Sequence, residues 1–554
     1  MKNQRTAKTN SSDSQIFSES LAPVAGLGVI VMAAGLGTRM RSKQAKVLHQ
    51  VAGQPMVLYS VKLGLQVAGD RMAVVVGHQN DQVRQLIETA ISDQQLRSRV
   101  WIVEQREQLG TGHAVLQSRP VFAVGTKVAP SWYLILNGDT PLLRETTVRE
   151  LLRVHEADRA AVTILTSVLK DANGYGRVVR ARLAGRDISR IVEDRDATTE
   201  EQAIREVNVG TYVVDGAFLF DALEKLDPSN AQGEYYLTDL VHIAVAQGRS
   251  VAAVSLDSPE EGLGVNTRQQ LAEAERIIRQ QIRERWLDAG VTIMDPPSTW
   301  IDAGVTIGRD TILHPNVTLE RATAIGEDCV IRSHTRLSDC TVGNRVEVLD
   351  HCVLRDSMIE DQAVLGPFVH LRPGVQVRRK AKVGNFVEMK KTDLGEGSKA
   401  NHLSYLGDAK IGKRVNIGAG TITCNYDGIR KSETVIGDDV FLGSDTQLIA
   451  PVTVGAGAVI AAGTTVTEDV PADALVISRV PQVNRAGWAA KRRALESDAN
   501  RETLNVKRGM TSVRVTRHSS TSSLSRAQSR DASRVKKKQL PASKSKQGKK
   551  GSRT

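Results

Sequence analysis

The chain is poor in cysteine, has no long apolar run, and lacks two common phosphate-binding signatures. No hydrophobic stretch approaches the ~20 residues needed to span a bilayer, so neither a membrane-crossing helix nor a membrane partner is expected. Residues 1–26 are polar and Ser-rich, without an apolar core followed by a cleavage site. They read as a disordered extension rather than a signal peptide, and a cytoplasmic protein is expected. The four cysteines, Cys329, Cys340, Cys352 and Cys424, show neither a CxxC pair nor His-rich spacing. That argues against a zinc site and a disulfide framework, and points to buried free thiols in a reducing compartment. A P-loop is absent because no GK[ST] follows the first glycine-rich turn, and the dinucleotide fingerprint G-x-G-x-x-G is absent too.

Charge is present but unevenly placed. Of the net +12, residues 501–554 hold 16 Lys+Arg against two acids, Glu502 and Asp531, so the rest of the chain is close to neutral. The segment 491–554 reads as a basic disordered tail, too poor in apolar residues to bury a core. It is either a solubilising extension or an anchor for nucleic acid or another polyanion.

A six-residue beat dominates the second half. Ile307, Leu313, Leu319, Ile325, Ile331 and Leu337 fall six apart. The spacing returns at Ile359, Leu365, Leu371, Val377 and Val383, and again from Ile436 to Val466. This period fits neither a 3.6-residue helix nor a two-residue strand alternation, and it marks a β-helix of hexapeptide repeats. Three hexads make one triangular coil. The beat is interrupted at LRPG (371–374) with VGNFVEMKK (383–391), at KANHLSYLGD (399–408) and at NIGAGTITCNYDG (416–428). These interruptions are where a site is expected.

Upstream, apolar strands alternate with helical stretches over 27–266. The strands include Gly28–Met32, Met72–Val76, Trp101–Val103 and Trp132–Leu136. That order predicts a mostly parallel, Rossmann-like sheet with helices on both faces and a ligand beyond the strands' carboxyl ends. Residues 267–290 read as one linker helix, with Leu271, Ala274, Ile278, Ile282 and Trp286 on one face. The β-helix then occupies 291–490.

The first strand runs into VMAAGLGTRM (31–40), whose glycines allow close approach of backbone amides to a phosphate. Arg39 and Lys46 add positive charge, and Asp139 in Asn137-Gly138-Asp139 puts a carboxylate just past a strand, where a metal could be held. Together with QLGTGH (108–113), this order resembles the sugar-phosphate nucleotidyltransferases. The likeness continues through GYGR (174–177), IVE (191–193), VNVG (207–210), GEYYLTD (233–239) and GVN (264–266). With the motifs of the repeat region added, residues 27–490 resemble the bacterial family of bifunctional N-acetylglucosamine-1-phosphate uridyltransferase/glucosamine-1-phosphate acetyltransferases.

The resemblance implies a nucleotidyltransferase domain followed by a left-handed parallel β-helix, two activities, a homotrimer and Mg²⁺. It implies that Ala33, Ala34, Gly35, Gln105, Gly110 and Thr111 surround UTP, with Arg39 and Lys46 along the phosphates. Gly176, Glu193 and Asn208 match sugar-binding positions, while Asp139 and Asn266 match the metal pair. In the second domain His402 matches the base that frees the amine of glucosamine 1-phosphate. Arg372 and Lys390 clamp its phosphate, and Tyr405 and Asn416 orient the sugar. Ala419, Asn425, Tyr426, Ser444, Ala462 and Arg479 match acetyl-CoA positions. Glu388 is a further candidate for orienting this site, and Cys424 adjoins it without a mark of nucleophilic function.

Two departures stand out. Ala45 replaces a proline usual before the lysine, which predicts a looser loop. Asn137 replaces an aromatic seen in some relatives. Two other readings remain: a hexose-1-phosphate nucleotidyltransferase using ATP or GTP, with the β-helix for assembly, and a regulatory protein with eroded sites.

Overall fold

The computed structural model describes residues 22–35, 37–68, 71–77, 80–91, 97–123, 129–181 and 187–512. Seven strands form the main path of the first sheet, in the order Val251–Ser255, Val162–Val168, Glu206–Asp215, Trp132–Asn137, Leu27–Ala33, Arg71–Val76, Val100–Glu104. All are parallel except Glu206–Asp215, which runs antiparallel to both neighbours. Val29 and Val31 enter one buried cluster and Ile30 the other, so both faces of the strand are covered. Double burial explains why these strands are continuously apolar rather than alternating. The carboxyl ends of three adjacent strands bring Ala33–Gly35, Gly77 and Asn137–Asp139 to one edge of the sheet.

Residues 22–26 lie within the extension expected to be disordered, yet they are tied down. The Val24 N–H donates to Val67 O at 2.9 Å, and Gly26 O accepts from Ser131 N at 2.8 Å. Residues 1–21 lie outside the described ones.

The long helix Arg268–Asp288 starts with a capping box formed by Thr267 and Gln270. It buries Ala274, Ile278 and Ile282 in a cluster that runs from Val51, Met56 and Val265 into the interior of the β-helix.

From Thr292 the chain forms a 26-stranded parallel β-helix in which nearly every strand pairs with the one three further on. One face stacks Leu313, Ile331, Val348, Leu365, Val383, Ala400, Ile417, Leu442 and Ile460 in register. Four corners are one residue tighter than the six-residue beat: Leu337 to Val342, Leu354 to Ile359, Met389 to Leu394 and Leu406 to Ile411. Each holds one left-handed non-glycine residue: Asp339, Asp356, Lys391 or Asp408.

This corrects the interruptions. Segments 371–374, 383–391 and 399–408 stay in the coil, and the long strands Lys382–Leu394 and Lys399–Ile411 pair through ten residues. Of the third interruption, 416–424 also stays in the coil, while 425–428 opens an excursion that runs to 433, where Tyr426 bridges Lys431.

A second unit begins at Val480. It contains a helix, Trp488–Ser512, where a disordered tail was expected from 491. Ala, Arg, Leu and Glu favour a helix there. An Arg492–Glu496 pair at 3.2 Å and the Arg492 guanidinium 5.5 Å from the Trp488 ring add to it. The basic stretch 513–554 lies outside the described residues.

Candidate active sites

At the edge of the first sheet, the Lys46 ammonium bonds the Asp139 carboxylate and, at 2.9 Å, Asn266 Oδ1. Three residues far apart in sequence thus meet at one point. Two oxygens that share a cation suit a hard divalent ion that takes its other ligands from phosphates and water. Among the described residues, no group of three or more His, Cys, Asp or Glu is placed to hold a metal by protein ligands alone. Tyr175, part of the GYGR motif but given no role by the sequence, lies close enough to Asp139 and Arg39 to feel both; burial pushes its hydroxyl above the usual range.

Ala33, Ala34 and Gly35 line a small cavity of about 80 Å³ with Ser42, Lys43, Gln44 and Ala45. Gln108 Nε2 donates to Ala34 O at 2.9 Å. Gln105 is buried and its amide donates to Gly110 O at 3.1 Å, so it faces the turn that opens the helix Thr111–Leu116. Gly110 has φ 106°, and a Cβ there would strike Tyr235 backbone. The GEYYLTD segment therefore straps this turn: Tyr235 N donates to Leu109 O, Gly112 N to Tyr235 O, and Leu237 N to Thr111 Oγ1 at 3.0 Å.

The same strap reaches the sugar-side residues, since Thr238 Oγ1 donates to Glu193 Oε1 at 3.1 Å. Burial pushes the Glu193 carboxyl up; the Thr238 bond pulls it down, and Asp239, Asp196 and Glu234 raise it further. Asn208 N donates to Gly176 O at 2.9 Å, and a Cβ at Gly176 would crowd Ile191 Cγ2 at 3.0 Å and lie 3.6 Å from the Glu193 carboxylate. Asn137 fills the space above Gly210 at a bulge and donates to Val209 O at 3.3 Å. The departure at 137 thus has a structural use.

The β-helix register explains the second constellation. Asn385, His402, Ala419, Ser444 and Ala462 occupy the same corner on five successive coils. His402 is exposed, and its Nδ1 lies 3.1 Å from Asn385 Oδ1. With Nδ1–H donating to that amide oxygen, Nε2 is left as the acceptor. Asn385 lies in the VGNFVEMKK motif but took no role from it, because its relation to His402 is one coil, 17 residues.

On the adjoining face Arg372 and Lys390 stack outward on neighbouring coils. Arg372 Nη1 donates to Glu388 Oε1 at 3.0 Å, so Glu388 holds this arginine and not His402. Lys390 is pulled below its ordinary value mainly by Lys431, then by Arg372, while Asp408 opposes. Lys431 is a second residue the sequence reading missed. It comes from the 425–433 excursion.

Tyr405 lies on the same face as Glu388, and its hydroxyl stands with the Asn425 amide over Gly407. Asn425 bonds Asp408. Tyr426 is exposed and bonds Gly428 O at 2.6 Å. Asn416 sits on the outer face three residues before Ala419, and Arg479 packs beside Gly463, next to Ala462. Cys424 is half-buried, and burial raises its thiol, which keeps it protonated and argues against a nucleophile. The other three cysteines are buried and free, with Cys340 and Cys352 pushed up to about 11.

Residues 29–212 match the MobA-like NTP transferase domain, and residues 433–468 match the bacterial transferase hexapeptide (six repeats). Fold and sites together define a nucleotidyltransferase joined to a left-handed β-helix hexapeptide transferase. The chain is 48% identical over 462 residues to the bifunctional protein GlmU of Pelobacter propionicus, covering 83% of this chain and 98% of that protein. It is 50% identical over 464 residues to the bifunctional protein GlmU of Trichlorobacter lovleyi, covering 84% and 98%. It belongs to the bifunctional GlmU family. A crystal structure of UDP-glucose pyrophosphorylase with UDP-glucose overlaps 46% of this chain and 98% of its own at 16% identity and a TM-score of 0.36, too loosely to carry an argument. No described helix is long and apolar enough to cross a membrane.

Proposed function

We propose that the chain makes UDP-N-acetylglucosamine in two steps: acetyl transfer from acetyl-CoA to glucosamine 1-phosphate, then uridylyl transfer from UTP to the product. The observation that carries the two-site reading is the convergence of Arg372, Lys390 and Lys431 on the face beside the His402–Asn385 corner. Three cations against the two carboxylates Glu388 and Asp408 suit a phosphate, which rewards paired cations. A β-helix used only for assembly has no need of a phosphate clamp beside a histidine base.

In the acetyl step the sugar phosphate lies along the outer face, its phosphate on Arg372, Lys390 and Lys431. Its amine turns toward His402. The amine attacks the thioester carbonyl, His402 Nε2 accepts the proton, and CoA leaves as thiolate. Tyr405 and Asn416 orient the sugar. Ala419, Ser444 and Ala462, which are small, leave a groove up the corner for the CoA arm, flanked by Asn425, Tyr426 and Arg479. No acyl-enzyme is needed.

In the uridylyl step Gln105 faces the base, and Gly110, Thr111 and Ala33–Gly35 enclose the nucleotide. Gly176, Glu193 and Asn208 hold the acetylated sugar. Asp139 and Asn266 would hold Mg²⁺, which when bound neutralises charge on the phosphates. Lys46 and Arg39 would lie along the phosphates. The sugar phosphate oxygen attacks the α-phosphorus and pyrophosphate leaves, so positioning and charge neutralisation supply most of the rate. The working form is a cytoplasmic homotrimer, in which neighbouring corners complete the exposed CoA groove.

The test offers acetyl-CoA with glucosamine 1-phosphate, and UTP with N-acetylglucosamine 1-phosphate, in separate assays. His402→Ala is expected to lower acetyl transfer on the order of 100-fold or more and spare uridylyl transfer. Asp139→Ala is expected to do the reverse. Loss of both reactions in either folded variant, or activity with ATP or GTP alone, would refute the assignment.

A further inference from the structure

Two of the three residues that meet at the uridylyl site lead directly into elements gripped by the β-helix. Lys46 opens the short helix Lys46–Leu48, which runs into the hairpin Gln50–Val51/Gln54–Pro55. Its turn residues Ala52 and Gly53 both have positive φ, 45° and 73°. Asn266 lies one residue before Thr267, the N-cap of the long helix, and its N–H donates to Gln270 Oε1 at 2.8 Å. Arg268, at the start of that helix, reaches His49 at 3.3 Å.

Farther along the helix, Glu275 and Arg279 face the hairpin and the first coil together. Ala52 N donates to Glu275 Oε2 at 2.6 Å, and Ala52 O accepts from Ala303 N at 2.9 Å. Arg279 Nε donates to Glu275 Oε1 at 2.6 Å, Nη2 to Asp302 Oδ1 at 3.1 Å, and Nη1 to Ile301 O at 3.1 Å. Its guanidinium lies 4.4 Å from the Trp300 ring centroid. Asp302 is 6% exposed, and its other oxygen accepts from Arg321 N at 3.0 Å. The Asp302 carboxylate lies against Gly53 where any Cβ would collide with it.

We propose that the Glu275–Arg279–Asp302 array is a positioning device for uridylyl transfer, by which the first coil of the acetyltransferase β-helix sets the placement of Lys46 and Asn266 about Asp139. This rests on the two-step reading above. The array touches no substrate and acts through the hairpin and the helix start. Every ionised group in it is matched by a partner of opposite charge or a backbone donor, and the largely covered fork of an arginine holds direction as well as distance. A shift of about 1 Å at reacting groups can cost on the order of 100-fold in rate.

The test uses the full-length chain with Asp302→Asn, Arg279→Gln and Arg279→Lys. Asp302→Asn and Arg279→Gln are expected to lower kcat for uridylyl transfer by about 10- to 100-fold, while KM for the sugar phosphate stays within about twofold. Acetyl transfer, four or more coils away, is expected to stay within about twofold of the unmodified protein. Amide hydrogen exchange over residues 46–53 and 265–270 is expected to quicken, and Arg279→Lys to recover part of the loss. Unchanged uridylyl kcat, unchanged exchange, or an equal fall in both activities would overturn the proposal. An unmodified protein without UTP-dependent activity defeats the functional reading instead, so the two failures are told apart.

Discussion

Glu193 shows how a single carboxyl is set by its surroundings. Burial pushes it up, three neighbouring acids push it further, and the Thr238 hydroxyl pulls it back. A raised carboxyl is the first to take a proton as pH falls, and a protonated Glu193 no longer accepts fully from a sugar hydroxyl. KM for N-acetylglucosamine 1-phosphate is therefore expected to climb on acidification well before a solvated glutamate would titrate, at ~4.3. Removing the Thr238 bond with Thr238→Val moves the inflection upward. In Glu193→Gln, KM is high and flat over the same range. A pH–KM profile of the three proteins checks this, and an inflection unmoved by Thr238→Val would count against it. Neither effect is readable from IVE and LTD alone, because the two motifs are 45 residues apart. The identities of Glu193, His402, Arg372 and Lys390 were legible because each sits in a dense local motif. The parts played by Asn385, Lys431 and Tyr175 were not, although Asn385 and Tyr175 lie in quoted motifs, because these residues join the sites through the stack of coils, the excursion loop and the fold of the sheet.

Among the elements, the short helix Lys46–Leu48 was expected to be loosened by Ala45. Its backbone does not depart from the geometry proline imposes. Ala45 has φ −55°, within the range a proline ring imposes, and its carbonyl, not its N–H, makes the turn's bond to Leu48 N at 3.0 Å. The loop is already shaped as proline would shape it. Ala45→Pro is then expected to stabilise the protein by about 0.4–1 kcal/mol, chiefly by restricting the unfolded chain. Denaturant unfolding measures this, and uridylyl transfer is expected to persist. A loss of stability would show that the loop needs a conformation proline forbids. The β-helix was the most legible element, since a stack of coils repeats its apolar positions whatever the rest of the chain does. What the beat could not convey is that a five-residue step is a tight corner and not a loop. A spacing change looks the same in sequence whether the chain leaves the coil, as at 425–433, or turns sooner, as at Asp408.

At the scale of the whole molecule, charge and catalysis are separated along the chain. The residues assigned to both sites end at Arg479, where the first unit also ends. The +14 carried by residues 501–554 lies beyond it, and the preceding 500 residues are near neutral. The helix Trp488–Ser512, which runs into that basic block, has no buried face over its described side chains, so it has no core to lose on truncation. Ending the chain after Asn500 is therefore expected to leave both activities within about twofold, since additivity holds for distant, independent parts. Its isoelectric point is expected to fall from about 9.5 to near or below neutrality, because the basic groups are removed as a block. Salt distinguishes the tail's roles. If the tail serves only solubility, the two forms differ in precipitation near neutral pH and in little else. If it holds a polyanion, the full chain binds heparin or RNA with an affinity that falls steeply between about 50 and 200 mM salt, and the truncated chain does not. A fall of about tenfold or more in either activity of a folded truncated protein would show that the tail reaches a site, and would break the separation.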